Sequence, residues 1–428
     1  MKKLLALLLA MCLVFAMTGC GGEEKKVETS DPITSTDSGN EDKEGADISD
    51  IEPFKISMIT PITGTNAFGG AEYKQGAELA LEHLGGEING RKIELVFADG
   101  PTQDATLAEF ERLYSQGSRV FLSGYGCIAD RTFASMCDDM EVLYLSLNWD
   151  YDLIQGESTY FFRGGANVVG FSGGTATQAA AIGKTYLGIE PEDLKVAVVF
   201  NTSIEAVTTP FMAYAEELGI EVVLFEGYPI DTLDYSPLIT KLQQAEYDIL
   251  IPFQTQMDGT PFQQKMHEMG YVPPVTLGAG IYYDTPIFAE LGTDITNGIL
   301  SQSYTTPAIS DEAAPGVAKF REDYTEKYGY APLTHALQAY GAMYIYKHVL
   351  EAVDPAEWDD TAKLADAMKN LKLDYGDLPW YWGAEFDETN NNIKADQFIV
   401  CQWIDGELEC VFPENLRTCE PIIPWANK

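Results

Sequence analysis

FKISMITPITGTNAFGGAEYKQGAELALEHLGGEINGRKIELVFAD, residues 54–99, places a strand-like run, a helix-like run and a second strand-like run in succession. Phe54 to Thr60 and Lys92 to Ala98 are apolar runs of strand length, while Gly70 to Leu84 carries Ala, Leu and Glu at helical spacing. The alternation continues with strands expected at Arg119 to Gly124 and Val142 to Leu147, and helices at Thr102 to Gln116 and Ile128 to Met140. Strands separated by crossover helices imply a parallel sheet covered on both faces. The pattern then restarts. Val196 to Phe200, Glu221 to Phe225 and Ile249 to Phe253 read as strands, and Thr202 to Leu218, Ser236 to Gln244 and Pro261 to Met269 as helices. Ser236-Pro237 and Thr260-Pro261 have the form of an N-cap followed by proline in the first turn. The fold class is therefore α/β, with two doubly wound, Rossmann-like lobes.

Upstream of these lobes, Lys2 and Lys3 precede an apolar run from Leu4 to Met17, followed by Thr18-Gly19-Cys20. The run is shorter than the roughly 20 residues of a spanning helix, and its flanks are those of a secretory signal peptide over 1–19. A small residue before cysteine at its end points to lipidation of Cys20; an ordinary secretory cut nearby is the alternative. Residues 20–50 are Gly, Ser, Thr, Asp, Glu and Lys with almost nothing apolar, the composition of a disordered tether. The formal charge of -39 makes a nucleic-acid partner untenable, and long-range steering favours neutral or cationic solutes.

Thr60-Pro61-Ile62-Thr63-Gly64, Gly69-Gly70, Gly76 with Ala80, Gly90-Arg91-Lys92-Ile93 and Asp99 resemble the opening of the leucine/isoleucine/valine-binding family. The likeness continues through Val142 to Ser146, Asp248 to Pro252 and Gly376 to Phe386. These are type I periplasmic binding proteins serving amino-acid and amide ABC importers. The resemblance implies an extracytoplasmic protein, held to the cell membrane through Cys20, that captures a small molecule between its lobes. It would pass that molecule to an ABC permease without any cofactor; a ligand-sensing lipoprotein feeding a membrane receptor is the alternative. It also implies three hinge crossings, for which Arg163 to Asn167, Gln302 to Thr306 and Tyr375 to Pro379 are candidates. Lobe 1 would then comprise 51–165 and 304–377, and lobe 2 would comprise 166–303 and 378–428.

In open α/β sheets the crevice lies beyond the carboxyl ends of the strands. That selects Thr63 to Phe68, Tyr125 to Ala129 and Asn148 to Tyr151 in lobe 1, and Asn201 to Glu205, Gln254 to Asp258 and Gly278 to Tyr283 in lobe 2. Family members that bind α-amino acids hold the carboxylate with hydroxyls and helix amides and pair the ammonium with an acid. The corresponding positions here are Ile128, Asp150, Thr255 and Ala279. Ile128 has no donor and Asp150 repels a carboxylate. The expected ligand-binding set is Tyr125, Trp149, Asp150, Tyr151, Glu205, Gln254, Thr255 and Tyr282, with Tyr283 and Asp258 close by. Acids beside aromatic faces suit a cation or a planar hydrogen-bonding molecule, so a small polar, amide-like or aromatic nitrogen compound is expected over leucine or valine. Trp380 and Trp382 are expected to pack between hinge and core.

An enzyme is not expected. Gly170-Phe171-Ser172-Gly173-Gly174 fits the G-x-S-x-G pattern, which would make Ser172 a hydrolase nucleophile, but no strand precedes it. His83, His267, His335 and His348 all fall in predicted helices. Metal motifs are missing: His267-Glu268 lacks a second histidine, and Asp387 to Asn392 lacks the calcium-loop glycine. Phe398 to Trp403 and Glu407 to Phe412 flank Asp405-Gly406, a two-residue hairpin signal. That turn sets Cys401 opposite Cys410 as a non-hydrogen-bonded pair, where a disulfide is possible; free packed thiols are the alternative.

Overall fold

The computed structural model describes residues 51–150, 153–154, 157–279, 282–395 and 398–423. The expected signal peptide, tether and anchor Cys20, and also Tyr151, lie outside these residues.

The first lobe is built from β1 (Phe54–Thr60), α1 (Ala67–His83), β2 (Glu87–Ile88), β3 (Arg91–Asp99), α2 (Gln103–Ser115) and β4 (Val120–Ser123). It continues through α3 (Asp130–Met140), β5 (Leu143–Ser146) and β6 (Phe161–Arg163). The sheet runs β2-β3-β1-β4-β5-β6, parallel except for the β2-β3 edge. Leaving that edge strand aside, β1 sits between β3 and β4, so the winding reverses between β1 and β4.

The second lobe begins with α4 (Val168–Ile182), β7 (Lys195–Asn201), α5 (Glu205–Leu218), β8 (Glu221–Tyr228), α6 (Ser236–Gln244), β9 (Ile249–Phe253) and α7 (Gln256–Glu268). It continues with β10 (Leu277–Gly278), α8 (Pro286–Ala289), α9 (Thr293–Thr296) and β11 (Leu300–Ser303). Strands order as β8-β7-β9, and isolated bridges from Leu250 to Thr276 and Phe253 to Ala279 extend this into β10-β11. The reversal therefore recurs between β7 and β9. The hydrophobic strands β7 and β9 are buried along nearly their whole length, as sheets covered on both faces require.

The chain then returns to the first lobe with α10 (Val317–Tyr328), α11 (Thr334–Glu351), α12 (Thr361–Lys369), β12 (Lys372–Leu373) and β13 (Ala384–Glu385). It ends in β14 (Ile399–Ile404) and β15 (Glu407–Phe412), antiparallel additions beyond β11. The third passage lies later than Tyr375 to Pro379. β12 and β13 pair with each other, and Asn391 bridges to Arg163, so residues 372–392 stay with the first lobe and the chain leaves it only on the approach to β14. Trp380 and Trp382 are buried in the first lobe's core accordingly.

Two other expectations need correction. Helix α7 starts five residues ahead of Pro261, because Thr255 and Asp258 form a reciprocal capping box. Cys401 does face Cys410, and of the two alternatives, disulfide or free packed thiols, the second holds: both thiols are free. A register irregularity between Val400 and Cys401 distorts the pairing at that point.

Helices α1 and α11 approach closely at Gly76, where a Cβ would stand 2.1 Å from the Ala336 carbonyl oxygen. Gly76→Ala must part the two helices, and we expect it to destabilise the protein by about 1–3 kcal/mol, the usual cost of overpacking. Urea unfolding measures this; an unchanged midpoint would show that the helices separate freely.

Candidate functional site

The two reversal points define where loops diverge and leave a crevice. On the first lobe the loop after β1 is held by Asp99, whose carboxylate accepts from Ile62 N at 2.8 Å, Thr63 N at 3.2 Å and Thr63 Oγ1 at 2.6 Å. These donors hold the Asp99 carboxyl below its ordinary value. The loop after β4 passes through Gly124, where a Cβ would meet the Ile59 carbonyl oxygen at 2.0 Å. This lets Tyr125 N reach Thr60 Oγ1 at 3.2 Å and carries the Tyr125 ring over α1.

Two spaces lie side by side here. A mouth of about 800 Å3 is bounded on the first lobe by Ile128, Arg131, Asn148, Trp149 and Asp150, and on the second by Val168, Val169, Ala206, Val207 and Pro210. Behind it lies an inner cavity of about 110 Å3 lined chiefly by Tyr73, Tyr125, Tyr304, His335, Trp380 and Trp382. Gly126, Cys127 and Trp149 border both. The inner cavity sits against the chain crossings, since Gly165, Ala166 and Tyr304 also line it.

The expected residues distribute unevenly. Tyr125 and Trp149 lie at the cavity, with Tyr125 edge-on to His335 at 4.9 Å and Trp149 edge-on to Phe171 at 6.5 Å. Asp150 lies in the mouth, but its carboxylate meets Arg131, and its carbonyl accepts from Arg163 Nη1 at 2.6 Å. Glu205 begins α5 as an exposed residue next to Ala206, which lines the mouth. Thr255 serves as the cap of α7, its hydroxyl donating to Asp258 at 2.6 Å. Gln254 is buried in a network in which it donates to Tyr228 Oη at 2.5 Å and accepts from Tyr283. Tyr282 shares a hydrogen bond with Thr260 at 2.7 Å and packs with Tyr283, Phe288 and Trp403 as a separate core cluster. Gln254, Thr255, Tyr282 and Tyr283 thus shape the second lobe beneath the cleft and do not line either space.

The residues that reasoning from sequence did not select are Tyr73 on α1, Tyr304 after β11, and His335 and Gln338 on α11. Tyr73 Oη donates to Gln338 Oε1 at 3.0 Å, and His335 Nδ1 lies 3.6 Å from Glu72 Oε2. Trp380 and Trp382, expected only to pack, are buried and also form cavity wall. Ser172 lies inside α4; its hydroxyl donates to the Val207 carbonyl and accepts from Phe211 N at 3.2 Å, pinning α4 to α5. Among the described residues no group of three or more His, Cys, Asp or Glu could hold a metal.

The electrostatics behind the cavity are acidic. Asp130 is fully buried; burial pushes its carboxyl up to about 6, against the opposing hydrogen bonds from Ser146 and Tyr144. Burial also raises Asp284, opposed by Ser303, His335 and Thr334.

Two Rossmann-like lobes joined by chain crossings around a cleft define a type I periplasmic binding protein. Residues 53–407 match the family described as periplasmic binding protein, and the chain belongs to that family. It is similar to Leu/Ile/Val-binding protein homolog 8 of Brucella abortus (strain 2308), 28% identical over 372 residues covering 84% of this chain and 91% of the relative. A putative branched-chain amino acid ABC transporter from Silicibacter pomeroyi superposes with TM-score 0.73 at 20% identity, over 87% of this chain and 100% of its own. A solute-binding protein of an ABC transporter from Rhodopseudomonas palustris BisB5, solved with 3,4-dihydroxy benzoic acid, does so with TM-score 0.63 at 21% identity, over 83% and 95%. The chain is a solute-binding protein of the ABC-transporter type, from an extracytoplasmic family of substrate-binding transport proteins. No helix among the described residues is long and apolar enough to cross a membrane.

Because the Asp130 carboxyl titrates higher in the folded chain than the ordinary 3.8, its ionisation opposes folding. Its stabilising contribution is complete below pH 3.8 and is lost as pH rises through about 6, a difference of about 3 kcal/mol from two pKa units. Relative to Asp130→Asn, the natural protein should gain stability between pH 7.5 and pH 4.5 in urea unfolding. An equal gap at the two pH values would assign the titration to another group.

Proposed function

We propose that this protein is a lipid-anchored receptor that takes one small, polar, amide-like or aromatic molecule into the cleft between its lobes and delivers it to an ABC permease. The observation that carries this reading is the mouth bounded by both lobes, which shares a wall with an aromatic inner cavity at the chain crossings. A ligand there touches both lobes, so it favours the closed arrangement through contacts that the open one lacks. Tyr125 and Trp149 supply aromatic faces, while Asp150 and Glu205 supply polar groups at the mouth. The Arg131 partner of Asp150 neutralises that acid, so Asp150 serves a ligand donor only by exchanging this ion pair. Anchoring rests on the signal-like run ending at Gly19-Cys20, and the polar stretch to residue 50 would give the lobes reach toward a membrane partner.

A thermal-shift screen of amino acids, amides and nitrogen heteroaromatics tests this reading. A compound at 100 times its dissociation constant stabilises the protein by about 2.7 kcal/mol, and small-angle scattering with that compound should show a smaller radius of gyration. Binding without compaction would remove the closure mechanism. Trp149→Ala, which strips the wall shared by both spaces, should weaken the same compound roughly 5- to 150-fold if the indole stacks on it, the equivalent of about 1–3 kcal/mol. Unchanged affinity would take Trp149 out of the site.

A further inference from the structure

A loop of the second lobe and a helix of the first meet at one carboxylate. Asp284 lies in the loop after β10, where its neighbours Tyr282, Tyr283 and Phe288 pack in a core cluster of the second lobe. From there it reaches the start of α11, a helix that packs in the core of the first lobe. Asp284 Oδ2 stands 2.7 Å from Ser303 Oγ at the end of β11 and 3.3 Å from Oγ1 of Thr334, the first residue of α11. The contact sits beside the second chain crossing, because the same Thr334 hydroxyl lies 2.8 Å from the Thr305 carbonyl oxygen.

A count of protons decides what that contact can be. The Thr334 hydroxyl has a single proton, and the Thr305 carbonyl, which can only accept, is the nearer claimant. With the proton on that side, an ionised Asp284 sets lone pair against lone pair at Thr334 Oγ1. A protonated Asp284 instead donates to Thr334 while accepting from Ser303, and the chain from Asp284 through Thr334 to Thr305 is complete.

The surroundings favour the neutral acid. Burial raises the Asp284 carboxyl above its ordinary 3.8, and the Ser303 hydrogen bond, the His335 charge and Thr334 oppose that rise without cancelling it. The titratable groups that face it are His335 on α11, Tyr125 after β4, Tyr304 after β11 and Cys401 on β14. His335 is the one basic group among them, and the buried Glu72 competes for its imidazole, with Oε2 3.6 Å from His335 Nδ1.

We propose that Asp284 is a proton-operated catch between the lobes: as a neutral acid it donates to Thr334 and holds the loop of the second lobe on the start of α11, and as a carboxylate it lets go. The proton comes from solvent and returns to it. Because the enclosed group titrates above 3.8, the link is complete at low pH and is lost as pH rises through the raised value. The catch sets the freedom of the hinge whichever solute the cleft takes.

Asp284→Asn keeps the shape, offers Thr334 a permanent N–H donor and still accepts from Ser303, so it fixes the catch shut at every pH. Hydrogen exchange of the free protein reads local opening at residues 300–306 and 333–338, and comparing variants at one pH cancels the intrinsic chemistry of the amides. At pH 8.0 the natural protein should exchange there roughly 2- to 10-fold faster than Asp284→Asn, the weight of one hydrogen bond. Small-angle scattering should also give it the larger radius of gyration. At pH 5.0 both gaps should shrink. A gap of equal size at the two pH values, or none at pH 8.0, would overturn the catch. Changed exchange with an unchanged radius of gyration would overturn its role between the lobes and leave a local contact. Asp284→Ala has no donor, and it carries the comparison if Asp284→Asn fails to fold: it should match the natural protein at pH 8.0 and exchange faster than it at pH 5.0.

Discussion

The arrangement depends on a small knot of backbone and asparagine hydrogen bonds at the edge of the first sheet. Arg163 N donates to the Asn390 carbonyl at 2.9 Å, and Asn392 N donates to the Arg163 carbonyl at 2.9 Å. Asn390 Nδ2 reaches the Ser158 and Phe161 carbonyls at 2.6 and 3.1 Å, and Asn392 Nδ2 reaches those of Gly164 and Gly383. Asn390 holds a left-handed backbone, φ 59°, that asparagine tolerates better than most residues. The outgoing chain at β6 and the returning chain before β14 are therefore tied side by side. Bending between the lobes would fall on the few residues beyond this tie, as in a hinge that keeps two rigid bodies in register.

The same edge connects to the site. Arg163 extends from the tie to the Asp150 carbonyl, and Val168 N donates to the Trp149 carbonyl at 2.6 Å. Asn167 caps α4 by accepting from Gly170 N at 2.9 Å. The wall residue Trp149 is thus bonded to the first residue of the second lobe's first helix. Displacement of one lobe is felt directly at the aromatic wall, with no need for a long relay.

Much of this was legible in the sequence, and the failures have identifiable causes. Strands β1 and β9 match their expected bounds residue for residue, because a run buried on both faces has no polar alternation to blur its ends. For helix α7, Thr260-Pro261 is a conspicuous start signal in the sequence, whereas the true cap uses Asp258 where glutamate or glutamine is usual. The sequence around the third passage does not show that its tryptophans are apolar core of the first lobe; the pairing of Asn391 with Arg163 does. Within the site, Tyr125 and Trp149 follow strand ends, the positions that the crevice rule selects, and both line the candidate site. Tyr73, His335 and Gln338 lie in helices brought together across some 260 positions by the docking of α11 on α1, which no local pattern records. Tyr282 and Tyr283 also follow a strand end, but their rings lie against Gly259 and Gly278, which leave room for them.

The paired thiols of β14 and β15 have a consequence for how the second lobe can be watched. Cys401 and Cys410 are both buried and carry no disulfide, and burial pushes the Cys401 thiol upward, away from the reactive thiolate. A reagent in solvent reaches them only when the hairpin parts from β11. Their labelling rate is therefore a clock for local opening at the far edge of the second sheet, set by the free energy of that opening and not by the chemistry of sulfur.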